Sequence, residues 1–149
     1  MKYLGQDQSP FLPAKSVANR RKKRTPTPPT PCDNYPDTGG YYLQGHATGV
    51  RETMAMAFHP EAHLTYVLDD GTVRTITLED FLSGFSGRPA PDEAQRVRTI
   101  EMVDIAETAA VGKIILDYPT IRFVDYMSLL KVNGEWKIIH KSYHREPKG

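Results

Sequence analysis

Two carboxylates and five histidines are the side chains in this sequence best suited to acid–base work. Asp117 and Asp125 flank the turn YPTIRFV, which puts them near one end of two paired strands. Asp125 shares strand parity with Phe123 and Met127, so it points where apolar residues point. A carboxyl group walled by apolar side chains holds its proton more tightly and can serve as a general base. The competing expectation is an ion pair, Asp117 with Arg122 and Asp125 with a lysine or arginine on a neighbouring strand. The histidines are His46, His59, His63, His140 and His144. HPEAH has the i, i+4 spacing of a helical metal pair, but Pro60 ends any helix between its members. His140 and His144 stand about 13 Å apart along a strand, too far to share one ion. No metal site and no cofactor are expected. In WKIIHKSYH (136–144), strict alternation places Trp136, Ile138, His140, Ser142 and His144 on one face, with His140 the more enclosed of its two histidines.

Aromatic residues supply the other candidate wall. Tyr42, Phe58, Tyr66, Phe85 and Tyr126 are the candidate ligand contacts, with His46 beside Tyr42 on the same helix. Pockets for flat ligands set a few polar groups among such rings, although cores are built from them too. No P-loop, dinucleotide fingerprint, nucleophile elbow or H-E-x-x-H occurs.

These side chains need elements to position them. Apolar spacing from Tyr35 predicts two short helices, 36–47 and 50–58, the second stopped by Pro60. AHLTYVLD (62–69) alternates and runs into Asp70-Gly71, a hairpin signal, with TVRTIT (72–77) returning. Thr77 caps a third helix whose apolar stripe is Leu78, Phe81, Leu82 and Phe85, ended by Gly84, Gly87 and Pro89. Four long strands follow at 96–105, 108–118, 121–132 and 135–144, with Asn133-Gly134 as a two-residue turn between the last two. The order α-α-β-β-α-β-β-β-β predicts an α+β fold ending in an antiparallel meander, with helices on one sheet face. The strands at 108–118 and 121–130 are apolar on both faces. Three short helices cannot cover both, so a homodimer is expected to cover the other.

Composition sets limits. Residues 1–34 carry seven basic against two acidic side chains, while 35–149 carry 12 basic and 16 acidic. A mildly acidic body argues against a nucleic-acid-binding domain. Seven of the 12 prolines fall by position 36, and almost no apolar residue before it is placed to help build a core, so residues 1–35 are expected to be a disordered basic tail and 36–149 the folded domain. No apolar run is long enough to span a bilayer and no signal-peptide pattern is evident. Cys32 is the lone cysteine, which suits a reducing, cytoplasmic setting.

The order of elements, with AFHPEAHLTYV after the second helix, TLEDFLSGF as the third and DYMSLLKVNGEWKIIHK at the end, resembles the nuclear transport factor 2-like superfamily. Within it the sequence is similar to the bacterial branch labelled putative lumazine-binding proteins, neighbours of the polyketide-cyclase-like group. The resemblance covers residues 36–147. It implies a cone-shaped curved antiparallel sheet wrapped round helices, a small-molecule pocket inside and dimerisation through the convex sheet face. Its relatives include ketosteroid isomerase and scytalone dehydratase as well as pure binding and assembly domains, so the fold does not select among these. The leading expectation is a homodimeric protein that binds a small organic ligand in an aromatic-lined pocket. Alternatives are a cofactor-independent isomerase, dehydratase or cyclase with Asp125 or His140 as general base, and a ligand-free dimerisation module.

Overall fold

The structure, a computed structural model, describes residues 36–149; the tail expected at 1–35 lies outside the described residues. Helices α1 (Pro36–Thr48) and α2 (Arg51–Ala57) come first, and α3 (Leu78–Leu82) interrupts the strands. The strands are β1 (Phe58–Val67), β2 (Val73–Thr77), β3 (Val97–Ala106), β4 (Ala109–Asp117), β5 (Ile121–Val132) and β6 (Glu135–Pro147). They form one six-stranded sheet in the order β2-β1-β6-β5-β4-β3. β3 to β6 make the expected antiparallel meander, and β1 lies parallel to β6 while pairing antiparallel with β2. This is an α+β fold with a curved sheet closed over its helices on one face.

Local chemistry explains the boundaries. Asn133 (φ 51°) and Gly134 (φ 84°) both adopt the left-handed conformation that the two-residue hairpin requires. Thr77 caps α3 by accepting from the Asp80 backbone N–H, while the Asp80 carboxylate accepts from the Thr77 N–H, a complete capping box. α1 and α2 cross closely because Gly45 has no side chain: a Cβ there would stand 2.8 Å from the Met54 Cα. Thr38 ties the start of α1 to the sheet by donating to the Trp136 carbonyl.

Three expectations need correction. Phe58 opens β1 rather than closing α2, because the strand begins four residues early and passes through Pro60. Proline is tolerated there since the ladder to β6 is irregular between Phe58 and His63. Phe85 lies beyond α3, which ends at Leu82 in front of the Gly84 and Gly87 turns. The single face expected for Trp136 through His144 does not exist. β6 pairs Ile138 with Leu129 and His140 with Ser128, leaving Ile139 as an extra residue, a β-bulge. The bulge reverses the alternation, so Ile138 and Lys141 both face the core at 0 % and 3 % exposure. His140 turns outward.

The core is formed by Tyr42, Met54 and Phe58 from the helices and β1, against Leu64, Ile114, Met127, Leu129 and Ile138 of the sheet. On the opposite sheet face, Met102, Val111, Tyr126 and Leu130 remain exposed at 42 to 48 %, as the doubly apolar strands foretold.

Candidate functional site

The inner wall of the sheet carries a charge. Asp125 is fully buried, and its Oδ2 accepts from the Tyr42 hydroxyl at 2.5 Å and from the Lys141 ammonium at 3.4 Å. Lys141 also donates to the Tyr42 oxygen at 3.0 Å. Three rings surround the ammonium, with Tyr143, Phe81 and Tyr42 centroids at 4.4, 5.1 and 5.5 Å. Each ring face offers negative potential, which helps a cation tolerate loss of water. Burial still pulls the Lys141 amine below its ordinary pKa, and the Asp125 charge offsets part of that shift. The other carboxylate oxygen, Asp125 Oδ1, is buried and has no hydrogen-bond partner among the described residues.

His46 stands one ring away. Its imidazole packs edge-on against Tyr42 at 4.7 Å and lies 6.2 and 5.7 Å from the rings of Phe81 and Phe85. The ring retains some accessible edge, yet Nε2 is closed off from solvent and has no hydrogen-bond partner among the described residues. Burial first, then the charges of Lys141, Arg98 and Arg96, hold its pKa well below the usual 6.5, so the imidazole is neutral at pH 7.

His46, Phe81 and Phe85 form one wall of a pocket of about 370 Å³, with Arg88 and Arg96 opposite. That volume lies in the range of small-ligand sites. The mouth is shaped by Gly49, which has φ 70° and whose carbonyl accepts the Gly87 N–H at 2.8 Å. A Cβ on Gly49 would meet the Arg88 carbonyl oxygen at 2.1 Å, so glycine is what lets the loop after α3 lie against the end of α1.

The candidates therefore separate into groups. Tyr42, His46, Phe58 and Phe85 cluster: Phe58 is core, 6.0 Å from Tyr42 and 5.8 Å from Phe81, while His46 and Phe85 line the pocket. Asp125 joins this cluster from behind, through Tyr42. Tyr66 is farther along the inner wall, stacked on Tyr143 at 4.9 Å with Arg145 over it. Tyr126 is 48 % exposed on the outer face, 5.7 Å from the Lys113 ammonium. His140 is also on the outer face, with Nε2 3.0 Å from Thr65 Oγ1. Of the expected ion pairs, Asp125 has its lysine, while Asp117 pairs with Lys148 and Arg122 with Glu146. Among the described residues no three His, Cys, Asp or Glu side chains group as metal ligands. No helix among them is long and apolar enough to cross a membrane.

Lys141, Phe81, Arg88 and Arg96 were not singled out from sequence. Lys141 sits on the polar parity of a regular strand and faces inward only because of the bulge. Phe81 was legible as part of an apolar stripe, whereas Arg88 and Arg96 lie in the loop between α3 and β3, where no periodicity reports direction.

Residues 36–144 match the family described as "Putative lumazine-binding". The chain belongs to that family. The architecture is likewise that of nuclear transport factor 2-like proteins. One from Shewanella baltica OS155 is 26% identical, with a TM-score of 0.70 over 78% of this chain and 94% of its own. Another, from Methylobacillus flagellatus KT, is 24% identical with a TM-score of 0.66, over 77% of this chain and 91% of its own. A curated relative, Aldolase FrzH of Cladobotryum sp, is 20% identical over 110 residues, 72% of this chain and 85% of that protein.

Proposed function

We propose that the protein binds a small organic molecule in the pocket between α1, α3 and the loop that follows. The observation that carries this is the pocket of about 370 Å³ itself, lined by the His46, Phe81 and Phe85 rings together with Arg88 and Arg96. Aromatic walls with a few polar groups among them are what sites for small organic molecules are built from. Family membership supports the reading. Native mass spectrometry of the purified protein should show a co-purified small molecule, and His46→Leu should release it. A protein that carries nothing, and whose thermal transition no aromatic compound in a panel raises, would sink the proposal.

The outer sheet face is proposed as a homodimer contact. Val111, Tyr126 and Leu130 lie exposed on neighbouring strands of that face, which supports it. Sedimentation should give a dimer at micromolar concentration, and Tyr126→Glu should give a monomer; a wild-type monomer rejects it. A cytoplasmic setting remains the expectation that the lone cysteine supports, and a signal in the periplasmic or secreted fraction would reject it.

A second reading, catalysis, rests on the unpartnered Asp125 Oδ1 and on the relative that is named an aldolase. In it Asp125 takes a proton from a carbonyl substrate while Tyr42 and Lys141 stabilise the oxygen charge. The compensating ammonium at 3.4 Å weighs toward the binding reading, because it favours a carboxylate that is fixed rather than reactive. Solvent deuterium incorporation into a ketone substrate, lost in Asp125→Asn, would decide for catalysis.

A further inference from the structure

Resting on the ligand-binding reading, the charge around the pocket narrows what it takes. Arg96 lines it and is held in place from two sides. Its Nε donates to Asp92 Oδ1 at 2.7 Å, and its guanidinium carbon lies 4.2 Å from the Tyr118 ring centroid. That anchoring occupies one edge of the guanidinium and leaves its terminal amino groups uncommitted among the described residues. Arg98, two residues on and within β3, is fully engaged instead, bidentate to Glu93 and bonded to the Tyr118 hydroxyl at 3.1 Å. Arg88, across the pocket mouth, has no carboxylate partner among the described residues and is exposed.

Four cations thus face the pocket or stand just behind it: Arg88, Arg96, Arg98 and Lys141. Three carboxylates balance them, Asp92, Glu93 and Asp125. The surplus positive charge is at the mouth, on Arg88. His46 adds no positive charge of its own, since burial first and then the neighbouring cations oppose its protonation. The excess charge on Arg88 therefore suits a negatively charged guest rather than a cationic one.

We propose that the pocket takes a planar organic carboxylate, with its carboxylate on the terminal amino groups of Arg96 and on Arg88 and its ring against Phe81 and Phe85. The planar guanidinium fork of Arg96 matches a carboxylate edge, which a lysine would not. The pocket's volume holds one or two fused rings and the acid group.

Two probes of one shape separate this from the broader reading: 2-naphthoate and its neutral amide, 2-naphthamide, titrated by fluorescence at low and high salt. Naphthoate should bind about ten- to a hundredfold more tightly than the amide, the range expected of one or two charge-assisted hydrogen bonds. The preference should shrink as salt is raised. Arg88→Gln, in an exposed loop with no partner to lose, should reduce the preference severalfold without changing the thermal transition. Arg96→Gln, checked for folding by circular dichroism, should reduce it further, with naphthoate affinity falling more than amide affinity. Equal binding of both probes overturns the carboxylate proposal and leaves ligand binding intact. Binding of neither at millimolar concentration overturns both.

Discussion

Lys141→Met tests whether the buried charge is held as a pair. At 3.4 Å, and with the effective dielectric constant of about 20 that suits such sites, the attraction between Lys141 and Asp125 is about 5 kcal/mol. Methionine fits among the three rings that now surround the ammonium, so packing is largely kept. The loss is the uncompensated carboxylate, still bonded to Tyr42, and removing one member of a buried pair costs about 3–5 kcal/mol. For a folded region of about 115 residues this lowers the melting temperature by about 12–20 °C. Urea unfolding followed by fluorescence of Trp136 gives the free energy directly. The double variant Asp125→Asn, Lys141→Met removes both charges and should recover to within about 2 kcal/mol of wild type. A loss below about 1 kcal/mol for Lys141→Met, or a double variant as damaged as the two singles added together, would refute the pair as the organising interaction.

The remaining predictions concern the pocket and its surroundings. His46 has a depressed folded pKa, so between that value and 6.5 the unfolded chain binds the additional proton and stability drops as pH falls. His46→Gln should flatten the acid limb of a stability–pH curve by about one proton; an unchanged limb counts against it. Tyr143 is pushed up to about 12, chiefly by burial and then by Tyr66, so its contribution is intact below pH 10 and lost as pH rises toward 12. Ultraviolet titration should show a late tyrosine component that shrinks in Tyr143→Phe, with Tyr118, also raised by burial, contributing to what is left. Gly49→Ala forces a Cβ into the Arg88 carbonyl at positive φ and should cost at least about 1–2 kcal/mol, loosening probe binding as well; a silent substitution would mean the loop can shift freely.

Much of the fold was legible because its signals are local. Asn133-Gly134, the Thr77 cap and the alternating apolar runs each act within a few residues. Tyr42, His46 and Phe85 were legible as apolar or aromatic positions, and the structure packs their rings together. Asp125 announced itself as a charge on an apolar parity. Its partner did not, since strict alternation assigns Lys141 to solvent and His140 to the interior. One unpaired residue, Ile139, exchanges the two, and nothing in WKIIHKSYH marks where the ladder slips. A bulge is set by the registers demanded on both sides of β6, against β5 and β1, and a single strand carries neither. The arginines were hidden for another reason: a loop's direction comes from the surface it lies on.

The place of β6 has a consequence for the order in which the molecule can be made. The strand synthesised last is the one that joins β2-β1 to β5-β4-β3. A ribosome releasing this chain exposes α1, α2 and the β1–β2 hairpin well before they have a sheet to rest on. Tyr42 waits for Asp125, and both wait for Lys141, across 99 residues of sequence. Contacts of such separation slow folding, because loop closure must be met before they repay it. The segment from α1 to β2 therefore has its full sheet to pack on only once β6 has inserted between β1 and β5.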